Sequence, residues 1–234
     1  MFIFDAIFTV DQAVAVNSQV LGMHIMHTGE LDKFREVYQD EEWRYVTIPI
    51  TLDDLTKHKE WQDFFDQAYK LKIIPILRLS TRFDHGLNAW VIPTRKDIIE
   101  MAKFLSNLDW HQDEKLIIVF NEVNHAAEWG GKIGPILYGG ILKFTSKWFH
   151  SENKNYKILP AAMDLSANNS LETREAFSYL ESLYDFDHQI FDNLDYWNSH
   201  SYPNPDFAAS PKKTGQNSIR GFLYELAWLK NKTG

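Results

Sequence analysis

The sequence predicts an α/β fold of the (β/α)8 TIM-barrel type, with about six strand-then-helix units in 234 residues. Three observations carry that expectation. Short β-type apolar runs alternate with helix-period segments along the chain, which implies a parallel sheet covered by helices. Polar and aromatic residues collect just after strand ends, at Arg78, Asn121-Glu122, Asp164 and His200-x-Tyr202, and a barrel gathers such ends at one mouth. The competing open sheet of nucleotide-binding proteins advertises a Gly-x-Gly-x-x-Gly turn after its first strand. The stretch "MHIMHTGELD" has none.

Residues 20–26, "VLGMHIM", form the first strand, and a short helical stretch follows near 31–38. The second strand, "YVTIPI" at 45–50, precedes Trp61, Phe64, Phe65, Ala68 and Leu71, whose offsets of 3, 4, 7 and 10 mark one face of a helix. The third, "IIPILRLS" at 73–80, leads to a helix start at Pro93-Thr94 and then to Ile98, Met101, Ala102, Leu105 and Leu108. The fourth, "KLIIVF" at 115–120, passes through a Gly-rich loop to a helix carrying Leu137, Ile141, Phe144 and Trp148. The fifth, "YKILPAAM" at 156–163, precedes a helix opened by Asn169, with Glu172 as its capping-box partner. The sixth, "LDYWNSH" at 194–200, runs into a Pro-rich loop and a last helix over 217–231. Closure needs eight units, so residues 1–234 read as a single domain without the seventh and eighth. The first and sixth strands are then expected to have exposed edges, which invite pairing with another chain.

Composition removes several function classes. A net charge of −8 argues against a nucleic-acid surface. No segment reaches the ~18 uninterrupted apolar residues of a membrane span, and "MFIFDAIFTV" lacks the basic start of a signal peptide. Absent cysteine excludes a disulfide framework, a thiolate metal site and a cysteine nucleophile. Compartment stays open, secreted or cytoplasmic. The aromatic content, 15% of residues, is unusual; most rings belong in a core, yet rings with a polar edge also suit sugars.

The run "LIIVFNEVNHAAEWGG" (116–131) begins as a buried strand and ends on a carboxylate beside an amide. Near apolar walls and a second carboxylate, such a Glu can hold a proton as general acid, while the Asn offers both donor and acceptor to a sugar hydroxyl. Glycoside hydrolysis needs two carboxyl groups. Glu225 is the late candidate for the second, but Ile219, Phe222, Leu223 and Leu226 keep offsets of 3, 4 and 7 and leave it on the outer face of a helix. Trp129 and Trp197 are candidates for stacking on sugar faces, or for packing. Asp164, His125 and Glu128 are candidates for hydrogen bonds to the ligand. Arg78 reads equally as a salt-bridge partner, Glu122 as a loop cap, and His200 and Tyr202 as a polar loop before Pro203. No cofactor motif is present. His24 and His27 are spaced by three and point to opposite strand faces, so no cluster of metal-ligand spacing forms, and no Gly-x-Ser-x-Gly elbow supports serine chemistry.

Asn121-Glu122 on the fourth strand, with His200-x-Tyr202 on the sixth, resembles the signature of the clan of retaining glycoside hydrolases with cellulase-like barrels, over about residues 20–234. The resemblance implies that Glu122 is the acid/base, that Tyr202 contacts the nucleophile, that His200 shapes the sugar site, and that Arg78 orients the nucleophile. The clan's nucleophile, a Glu ending the seventh strand, has no counterpart. Two function classes follow: a truncated glycosidase acting on β-linked oligo- or polysaccharides, or a carbohydrate-binding or interaction protein on the same scaffold.

Overall fold

The computed structural model describes residues 8–9, 22–38 and 43–234. Most of the apolar N-terminal stretch therefore lies outside the described residues, as do Val20 and Leu21 of the first predicted strand. The elements are β1 (Phe8–Thr9), β2 (Gly22–His24), α1 (Leu31–Val37), β3 (Arg44–Ile50), α2 (His58–Lys70) and β4 (Ile73–Leu79). A hairpin of β5 (Phe83–Asp84) and β6 (Ala89–Trp90) leads to α3 (Arg95–Ser106), β7 (Lys115–Val119), α4 (Pro135–Glu152) and β8 (Tyr156–Pro160). The chain ends with α5 (Ala176–Phe186), β9 (Tyr196–Trp197) and α6 (Phe222–Thr233).

The main sheet is parallel and ordered β2-β3-β4-β7-β8. That order follows the sequence without reversal, so the sheet lacks the switch point of a doubly wound fold among its described strands. β9 continues the series beside β8, through Asp195 N–H to Ile158 O at 3.0 Å and a parallel bridge between Asp164 and His200. On the far side of β9 runs β1, antiparallel, with Phe8 opposite Trp197 and Thr9 opposite Tyr196. The exposed edge expected on the sixth strand is thus occupied over those two residues.

Strand alternation separates two faces. Val46, Ile48, Ile50, Leu77, Leu79, Ile117, Val119 and Ile158 share one core cluster with the helix residues. Ile76, Leu116, Ile118 and Leu159 form a second cluster, joined by Tyr45, Ile74 and Tyr196, without a helix residue among those described. The helices therefore cover one face of the sheet and leave the other to its own side chains.

The helices form where the pattern allows. In α2 the predicted stripe of Trp61, Phe64, Phe65 and Ala68 is buried, each large side chain contributing about 1.5–3 kcal/mol. Thr94 caps α3: its hydroxyl accepts from Asp97 N–H at 3.2 Å while Asp97 Oδ2 accepts from Thr94 N–H at 2.7 Å. Two expectations are corrected. The buried stripe of α4 is Tyr138, Ile141, Leu142, Thr145 and Phe149, a register in which Leu137 is exposed. α5 starts at Ala176 with Glu175 as its cap, accepting from Ser178 N–H at 2.7 Å. Asn169 instead braces the preceding loop, accepting from Glu175 N–H at 3.1 Å. Among the described residues no helix is long and apolar enough to cross a membrane.

Candidate active site

The apolar run of β7 ends on a backbone reversal. Phe120 is buried and adopts φ +71°, a left-handed conformation that costs a non-glycine residue roughly 1–3 kcal/mol and concentrates at functional sites. The kink delivers Asn121 and Glu122 past the end of the sheet, which accounts for a carboxylate directly after a buried strand.

Those two residues meet side chains from the helix-free face. Thr47, Arg78 and Ile118 share its parity with Tyr45, Ile76 and Leu116, and His24 pairs with Thr47 across β2 and β3. Together with Asn121, Glu122, His200 and Tyr202 they line a cavity of about 170 Å³. A cavity of ~150 Å³ holds one benzene-sized ring, so this one accommodates a single six-membered ring. The sequence placed Glu122, Asn121, Arg78, His200 and Tyr202 here. It did not single out Thr47, although strand parity carried that signal, and His24 entered only as a lone metal-ligand candidate.

Hydrogen bonds fix the lining. Nδ1 of His200 lies 2.7 Å from Oε1 of Glu122, and the His200 and Tyr202 rings tilt against each other at 5.2 Å between centroids. Arg78 Nη1 donates to Asn121 Oδ1 at 3.0 Å. That contact assigns the amide: its oxygen faces the guanidinium, so its NH2 is left to bond Glu128, the neighbouring carboxyl. Burial pushes the Glu128 carboxyl up from its ordinary range and the Glu122 charge pushes further, against the Asn121 hydrogen bond, Arg78 and His125. Glu128 lies in a neighbouring crevice with Thr81, Trp90 and Asn121. Asn121 is the wall common to both spaces.

Asp164 and His125 form a second shelf beside the site. His125 Nε2 lies 3.0 Å from Asp164 Oδ2. The hydrogen bond to Asp164 raises the imidazole above its usual value, with Glu122 and Glu128 adding to it, and the same bond lowers the Asp164 carboxyl. Asn124, fully buried, ties the shelf to the scaffold: its Nδ2 donates to the carbonyls of Asp164 and Arg174, both at 3.0 Å.

Three sequence expectations are corrected. Trp129 is 1% exposed and packs edge-on against Phe120 and Tyr138. Trp197 is 3% exposed against Phe191. Neither ring lines the Glu122 cavity, because both belong to the core cluster shared with the helix residues. Glu225, expected on an outer helix surface, is fully buried. In α6 Glu225 and Leu229 are buried and Phe222 and Leu226 partly so, while Ile219 and Leu223 of the expected stripe are exposed. Among the described residues no three His, Asp or Glu side chains are grouped to hold a metal ion. The chain matches no known family model and no curated protein.

Proposed function

We propose that this protein is a glycosidase-type carbohydrate-active protein, on a scaffold of (β/α)8-barrel type, whose cavity receives one sugar ring of a β-linked glycan. The observation that carries the reading is the sharing of one ring-sized space by the Glu122 carboxyl, the Asn121 amide and the Tyr202 phenol. The sequential strand order and the helix-free face behind the cavity support the scaffold. In this reading Glu122 protonates the leaving glycosidic oxygen as the bond from that oxygen to the anomeric carbon breaks; water then forms its bond to that carbon and gives up a proton to the Glu122 carboxylate. His200 aims the Glu122 carboxyl from 2.7 Å, and Arg78 holds the Asn121 amide in place through its Oδ1.

Release of the aryl alcohol from aryl β-glycosides tests this directly, with Glu122→Gln as the paired variant. Turnover that falls in the variant supports the reading; equal turnover removes Glu122 from the chemistry.

One observation favours a second reading, carbohydrate binding without turnover. A retaining route needs a second carboxyl about 5–5.5 Å from the first, and Glu122 is the only carboxylate among the described residues lining the cavity. Calorimetric binding of β-linked oligosaccharides with no release of reducing sugar would establish it.

A further inference from the structure

Glu225 is the one fully buried acidic side chain among the described residues, and the chemistry assigned to Glu122 makes no use of it. Its surroundings are specific. Ser199, itself buried, donates its hydroxyl to Glu225 Oε2. The Ser199 hydroxyl also lies 2.8 Å from that of Ser201, and Ser201 Oγ accepts the N–H of Phe222 at 2.6 Å, at the first turn of α6. The indole of Trp197 acts on the same carboxyl from β9. These contacts hold the back of the segment that leaves β9. Its front carries His200, which meets Glu122, and Tyr202, which lines the cavity. Side chains at 199 and 201 and the one at 200 point to opposite sides, as alternation in extended chain requires.

We propose that Glu225 is the positioning residue of this site: by gripping Ser199, and through it Ser201, it sets where His200 and Tyr202 stand in the cavity. The role of the cavity rests on the glycan reading above; the grip itself does not. Burial lifts the Glu225 carboxyl to about 7, against the Ser199 hydrogen bond, the nearby Trp197 indole and the charge of His200. His200, on the β9 extension, is the charged group acting on Glu225; Ser199 and Trp197 are its polar neighbours. The carboxyl therefore changes charge near neutral pH, behind the imidazole that meets Glu122.

The test is the pH titration of the His200 ring, followed by NMR on the full chain in wild type, Glu225→Gln and Ser199→Ala. The wild-type ring should show its own transition plus a second inflection near pH 7. In Glu225→Gln that second inflection should vanish, and in Ser199→Ala the ring signals should move because the grip is lost while the carboxyl remains. If the ring signals of Ser199→Ala do not move, or if Glu225→Gln reproduces the wild-type curve, the proposal is overturned. Should Glu225→Gln fail to fold, unmoved ring signals in Ser199→Ala alone overturn it. No sugar enters the measurement, so failure of the glycan reading, seen as absent binding and turnover, is told apart from failure of this one.

Discussion

Nδ1 of His200 stands 2.7 Å from Oε1 of Glu122, joining the end of β9 to the end of β7 across 78 residues of sequence. The imidazole is 8% exposed and the carboxylate 22%, so the pair is shielded on the protein side and open toward the cavity. Hydrogen bonds to a charged group contribute about 1.5–3 kcal/mol. His200→Ala should lower the unfolding free energy by about that much at pH 7, read from urea titration. A change below ~0.5 kcal/mol would mean the pair is solvent-screened, as surface pairs are.

Asn121 accepts from Arg78 and forms the wall shared by the Glu122 cavity and the Glu128 crevice. Asn121→Ala should keep the far-UV spectrum of the wild type and weaken oligosaccharide binding by about 1–3 kcal/mol, the cost of leaving a polar group unpaired. Calorimetry on wild type and variant gives the difference. Undiminished affinity would place the ligand away from this wall.

The buried Glu225 links stability to pH in a direction that can be worked out. Its folded value, about 7, lies above the ordinary 4.5, so on raising pH the unfolded carboxyl ionises first. The folded state holds the extra proton, and stability is lost as pH climbs from about 4.5 through about 7. Each tenfold difference in proton affinity between the folded and unfolded chain is worth about 1.4 kcal/mol, which makes the whole effect on the order of 3 kcal/mol. Glu225→Gln should flatten this fall, so that urea midpoints at pH 5 and pH 8 come closer together than in wild type.

Trp129 is a core residue rather than a sugar platform. Trp129→Ala should cost about 3–5 kcal/mol, as other large-to-small core changes do, with a cooperative transition at lower temperature. Trp129→Phe should recover most of the stability and leave sugar affinity unchanged. A selective loss of affinity in the Phe variant would restore the stacking role.

The scaffold was readable because its elements are governed by local rules. The β7 run from Lys115 to Val119, one residue short of the expected 115–120, the α2 stripe from Trp61 to Ala68 and the Thr94 cap each depend on residues close in sequence. The lining residues at strand ends were readable for a related reason: a parallel sheet with sequential order brings all its C-terminal ends together. What escaped depends on contacts distant in sequence. Glu225 has helical neighbours that suggest an outward face, and its partner Ser199 lies 26 residues earlier. Asn169 with Glu172 matches a capping box, but α5 takes Glu175 instead, because the 168–173 loop is closed on itself by Ser170 and Thr173. Nothing local to Trp129 or Trp197 distinguishes a buried ring from one open to a ligand; the side of the backbone on which each falls decides it.

The chemistry proposed for the site turns on Glu122 handing a proton to a sugar held against Asn121 and Tyr202. A comparison of wild type with Glu122→Gln on a series of aryl β-glycosides of rising leaving-group pKa probes that transfer without intermediaries. A leaving group that departs readily as an anion needs no proton, whereas a poor one does. Proton donation by Glu122 predicts a small deficit in the variant for the best leaving groups and a deficit of roughly 10²–10⁴-fold for the poorest. A deficit that does not vary along the series, or none at all, would show that Glu122 donates no proton.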